Sequence, residues 1–141
     1  MCCNSSANLG KKILDKDGNK KDAPAQGNQT EIALLRFCGT CDVPYRKLRA
    51  DYIPEGGIRY PFSSTRKRMS TQINYKGEDF LLIKGASEYI LGSCSSIHYW
   101  DTDEVASMTE ALKAEIKGAI HGMAKKTLRT LCLAYKKIDG G

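Results

Sequence analysis

At 141 residues the chain is long enough for one domain with its own core and too short for two. Hydrophobic residues at 41% and charged residues at 27% exclude a disordered chain, and no apolar run exceeds Leu131 to Tyr135, far short of the ~20 residues of a membrane-spanning helix. With 22 basic and 16 acidic side chains the net charge is +6, which favours nucleic acid, lipid head groups or nucleotide phosphates without choosing among them.

Residues 1–27 hold few large apolar side chains, and the stretch Lys16-Asp17-Gly18-Asn19-Lys20-Lys21-Asp22 has turn composition. A partly flexible loop with weak strands is expected there, with order beginning at Gly27. Met1-Cys2-Cys3-Asn4-Ser5-Ser6 has neither the basic nor the apolar region of a secretory signal. The six cysteines, irregularly spaced, are then expected to be reduced thiols. Thr30 reads as a helix N-cap with Glu31 in the first turn, ahead of Ile32, Ala33, Leu34, Leu35 and Phe37, and Gly39 reads as the stop. A short second helix is expected over 44–51, opened by Pro44.

From Ile58 the pattern turns to strands. Residues 59–62 read as extended, and 69–75 and 79–84 read as a hairpin around the turn Lys76-Gly77-Glu78. Gly85-Ala86-Ser87-Glu88 opens a short helix that Gly92 closes. Apolar Ala111, Leu112, Ile116, Ala119, Ile120 and Met123 predict a long helix over 109–126, and 130–138 reads as a last strand. The elements interleave without βαβ alternation, so the expected class is α+β, an antiparallel sheet flanked by helices in a single domain over 1–141.

Cys38-x-x-Cys41 is half of a zinc or dithiol motif, but no second pair exists and His98 and His121 stand apart, so no metal site is expected. No phosphate-cradling glycine loop or hydrolytic triad is present, and no catalytic residue is expected. Two clusters suit a nucleotide. Pro61-Phe62-Ser63-Ser64-Thr65-Arg66-Lys67-Arg68-Met69-Ser70 sets an aromatic ring ahead of three cations. Lys84-Gly85-Ala86-Ser87-Glu88 sets a lysine at a strand end, then a glycine that admits close approach to the backbone. A ring with lysines suits adenine stacking and phosphate attraction; a solvated basic turn and an ordinary strand-to-helix junction are the competing reading.

These clusters, with Gly27-Asn28-Gln29-Thr30-Glu31-Ile32-Ala33-Leu34-Leu35 before them and Thr127-Leu128-Arg129-Thr130-Leu131-Cys132-Leu133-Ala134-Tyr135 after them, bring in a likeness. In this order and spacing they resemble the nucleotide-binding (N) domain of P-type cation-transporting ATPases, closest to the plasma-membrane calcium pumps. The resemblance implies that Phe62 stacks on adenine, Glu31 faces its amino edge, Lys67 and the Lys84–Gly85 pair line the pocket, and Arg129 reaches the ribose and phosphates. It implies ATP as ligand, with Mg²⁺ as part of the nucleotide complex, and a parent pump at the cytoplasmic face of a membrane. The partners implied are the phosphorylation and actuator domains of that parent. A monomeric fragment that binds no nucleic acid is expected.

Two positions depart from many relatives: Ser87, where proline is common, and Ser64, where some calcium pumps carry a basic residue and a phosphate contact. The family's phosphorylation motif, Asp-Lys-Thr-Gly-Thr, occurs nowhere, and Asp15-Lys16-Asp17-Gly18 lacks its threonines. The chain is therefore expected to bind ATP without hydrolysing it. The rival readings are a basic module for nucleic acid or acidic lipid, built on Arg66, Lys67 and Arg68, and a stand-alone phosphotransferase, for which no nucleophile is identifiable.

Overall fold

A computed structural model describes residues 1–138, and at 12, 13, 20 and 22 the backbone alone. Its centre is a four-stranded antiparallel sheet in the order β3-β4-β5-β8, built from β3 (Arg59–Ser63), β4 (Arg68–Tyr75), β5 (Glu78–Ala86) and β8 (Leu131–Ile138). β4 and β5 form the hairpin that the alternation of polar and apolar residues predicts. Their register runs from Arg68 opposite Gly85 to Tyr75 opposite Glu78, with Lys76 and Gly77 at positive φ in the turn. β8 pairs the other edge of β5, with Ala86 opposite Leu131 and Asp79 opposite Ile138.

Helix α1 (Gln29–Thr40) and helix α2 (Tyr45–Tyr52) pack with the first residues of the chain. The cap of α1 is Asn28, not Thr30: the Asn28 side chain accepts from the Glu31 amide at 2.8 Å, and the helix runs one residue beyond Gly39. Cys2, Ala7, Ile32, Leu35, Cys38 and Tyr45 make the buried apolar cluster. The first residues join this core, for Cys2, Asn4, Ser5 and Ala7 are all buried. A short hairpin, β1 (Lys12–Leu14) with β2 (Lys20–Asp22), carries the turn-forming stretch, where the Asp15 carboxylate accepts from the Asp17 and Asn19 amides.

Cys38 packs in the core while Cys41 is exposed at the C-cap of α1, and no group of three metal-ligating side chains gathers among the described residues. Burial and the neighbouring Cys38 push the Cys2 thiol up to about 11, so it stays protonated at neutral pH.

Helix α3 (Ser87–Gly92) follows β5 directly, and helix α4 (Glu110–Lys125) begins at a Thr109 cap that accepts from the Leu112 amide at 3.1 Å. Between them lies an unexpected hairpin, β6 (Ser96–Tyr99) with β7 (Glu104–Ser107). It is tied to β8 by His98, whose Nδ1 pairs with the Tyr135 hydroxyl at 3.1 Å and whose Nε2 meets Asp103 at 2.7 Å. The class is α+β, as expected. Among the described residues no helix is long and apolar enough to cross a membrane.

Candidate functional site

Strand ends gather the candidate residues. β3 finishes, β4 starts, β5 finishes and β8 starts at one end of the sheet, so Phe62, Lys67, Lys84, Gly85 and Arg129 come from that end. From Tyr60 to Ser63, β3 spends one residue more than its partner does from Ser70 to Arg68, and this bulge sets Pro61 and Phe62 against Met69. Phe62 is 58% exposed and stacks on no other ring among the described residues, a bare aromatic surface at the sheet end.

The two sequence clusters are locked to each other by backbone. Lys67 sits at φ 52° in the tight turn between β3 and β4, and its carbonyl accepts from the Ala86 amide at 3.0 Å. A Cβ at position 85 would overlap that same Lys67 carbonyl and come within 2.8 Å of the Arg68 Cα. Glycine after Lys84 is therefore dictated by the Lys67 turn, whatever else it does. The exposed Lys67 side chain is left pointing outward from a fixed backbone.

Glu31 and Lys84 meet inside the fold. Lys84 Nζ lies 2.6 Å from Glu31 Oε1 and also donates to the Asn4 carbonyl. Glu31 Oε2 accepts from the Ser6 amide at 3.1 Å, the Ser6 hydroxyl at 2.9 Å and the Ala7 amide at 3.1 Å. Asn4 extends the network by donating to the Met69 carbonyl at 3.2 Å and accepting from Thr71 Oγ1 at 3.0 Å. Burial opposes the Glu31 charge, but Lys84 and the Ser6 donors outweigh it and hold the carboxyl below the ordinary 4.5. Burial, with Glu31 pulling the other way, brings the Lys84 ammonium below 10.5. Glu31 is buried at 3% exposure, and its Oε1 accepts from one donor where Oε2 accepts from three. Asn4, Ser6 and Ala7 were not candidates, and their short side chains carry no periodic signal by which a sequence reading would find them.

Arg129 is exposed just ahead of β8 and lines a groove of about 390 Å³ with Ala86, Ser87 and Glu88 on one wall and Ile120, Ala124 and Leu128 on the other. The buried Ser87 hydroxyl in that wall has no hydrogen-bond partner among the described residues. Arg129 thus neighbours the end of the Lys84–Glu88 segment.

A sequence model of one family, described as P-type ATPase, cytoplasmic domain N, matches residues 1–141. The chain belongs to this family. It is 34% identical over 92% of its length to a plasma membrane-type calcium-transporting ATPase of Oryza sativa, and 36% over 82% to a plasma membrane calcium-transporting ATPase of Bos taurus. It is 32% identical over 89% of its length to a calcium-transporting ATPase of Listeria monocytogenes. The chain spans only 12%, 10% and 14% of those three relatives' own lengths. The α+β sheet described above is the fold of this N domain.

Proposed function

We propose that this N domain binds the adenine end of ATP at the Phe62 end of its sheet and presents the γ-phosphate to a phosphorylation domain of a calcium-transporting P-type ATPase. The observation that carries the reading is the bare Phe62 ring beside a backbone-locked Lys67 turn and the Lys84–Gly85 strand end. Adenine stacks on Phe62, and Glu31 Oε1 accepts from its amino edge. Lys67 and Arg129, both exposed, draw the phosphates. Lys84 acts on the base indirectly, because its buried ammonium fixes Glu31 and so orients the acceptor. Mg²⁺ arrives with the nucleotide, held by its phosphate oxygens. The relatives' names supply calcium as the transported ion and the plasma membrane as the setting.

Nucleophilic attack on the γ-phosphate requires a positioned aspartate, and the sequence carries no phosphorylation motif. The domain's own contribution is binding. One stack and a few solvated cations support a dissociation constant of about 0.1–1 mM. Phe62→Ala is expected to weaken ATP binding by ~1–3 kcal/mol in calorimetry with its urea midpoint unchanged. Equal affinity in the variant, or unfolding with no separable loss of binding, overturns the assignment of Phe62. Salt separates this reading from a nucleic-acid module: affinity for a phosphate backbone falls steeply between 50 and 200 mM salt, roughly 10³-fold or more for six contacts, whereas a stacked base holds on.

A further inference from the structure

The other face of the sheet holds a groove of about 670 Å³, within the ~300–1,000 Å³ of small-molecule sites. Opposed residues of an antiparallel sheet share a face, so Ser70, Ile83 and Ala134 stand side by side across β4, β5 and β8. They form the floor, while Met69 and Lys84, one residue along, face the buried network around Asn4. Ile90 of α3 and Val105 of β7 stand over the floor, and Arg66, Arg68 and Lys136 line the rim.

Three features of this groove go unused by the fold. No carboxylate lines it, although three cations do. Arg66 donates to the Pro61 carbonyl at 2.7 Å, but the side chains of Arg68 and Lys136 have no ion pair or hydrogen bond among the described residues. Ser70 is buried to 6% exposure in the floor, and its hydroxyl too is without a partner among the described residues. A trough with apolar side chains along its floor, a hydroxyl free of protein partners among the described residues and unpaired cations at its rim complements a molecule that is apolar along its body and anionic at its head. It lacks the carboxylate or carboxamide side chains that would meet a base edge, which separates it in chemistry from the Phe62 end.

We propose that this groove binds a small amphipathic anion, a single carboxylate or phosphate head on an alkyl or aryl body. The body lies along Ile83, Ala134 and Ile90, and the head meets Ser70, Arg68 and Lys136. The test is a ¹H–¹⁵N titration of the chain with four probes: decanoate below its micelle concentration, 1-naphthyl phosphate, decanol and inorganic phosphate. Decanoate, naphthyl phosphate or both should shift the amides of Ser70, Ile83 and Ala134, and which of them does so tells an alkyl from an aryl ligand. Decanol and inorganic phosphate should leave those amides in place. Lys136→Glu should weaken binding tenfold or more, and Ala134→Phe, which fills the floor, should abolish it. Equal binding of decanol, unchanged affinity in Lys136→Glu, shifts confined to Phe62 and Gly85, or no shifts with any probe would overturn the proposal.

Discussion

With Lys84 on one oxygen and three N–H or O–H donors on the other, Glu31 is an ionised carboxylate held inside the fold. Replacing it by glutamine keeps the shape and strands the buried Lys84 ammonium, and breaking a buried pair on one side costs about 3–5 kcal/mol. Urea unfolding of Glu31→Gln at neutral pH is expected to show a loss of that size, and a loss below about 1 kcal/mol would mean the pair is solvated. The acid limb has a definite sign. Because the folded Glu31 pKa lies below its ordinary 4.5, its contribution is fully present above that value and disappears as pH falls through the lower folded value. Wild type should therefore lose stability in that window faster than Glu31→Gln does. Sequence alone marks Glu31 as a first-turn acid and ligand candidate, but not as the centre of a buried network. Around the pair stand Asn4, Ser6 and Ala7, short residues with no pattern to announce the network: Asn4 and Ala7 are buried with their polar groups partnered, while Ser6 reaches Glu31 from an exposed position.

Where an element's signal is periodic, it is legible from sequence; where it depends on distant partners, it is not. The spacing of Leu112, Ile116 and Ile120 marks α4, and the β4–β5 pair follows from alternation around a Lys-Gly turn. The β6–β7 hairpin is different. Ser96, His98 and Glu104 are polar, and the pair is fastened by a long-range contact of His98 with Tyr135 that no local pattern encodes. The start of α1 is a subtler case, with Asn28 and Thr30 both good caps by residue type. Geometry selects Asn28, whose side chain holds the amide of Glu31 itself. Asn28→Ala should cost ~1 kcal/mol and Thr30→Ala much less, as read from thermal midpoints of the two variants. The reverse order would restore Thr30 as the cap. Legibility at the site follows the same division. The aromatic-cation and Lys-Gly clusters are visible in the chain, while their connection, the Lys67 carbonyl lying where a Cβ of residue 85 would stand, is visible only in the fold.

At the scale of the molecule, the proposed binding end is built from four strand termini, and the sequence carries no Asp-Lys-Thr-Gly-Thr phosphorylation motif. Incubated with ATP and Mg²⁺, the chain is expected to release no phosphate above background and to form no acyl-phosphate. Labelling from γ-³²P-ATP that maps to Asp15 and vanishes in Asp15→Asn would instead make it a phosphotransferase in its own right. That outcome is disfavoured by the surroundings of Asp15, which lies in an exposed turn where its Oδ1 accepts from the Asp17 and Asn19 amides. The claim that the Phe62 end binds adenine nucleotide is tested most directly by a ¹H–¹⁵N chemical-shift titration with ATP. Saturable shifts are expected at Phe62, Lys67, Gly85 and Arg129 with a midpoint of about 0.1–1 mM. No shifts at about 10 mM, tenfold above that range, or shifts centred on Ser70, Ile83 and Ala134 across the sheet, would contradict it.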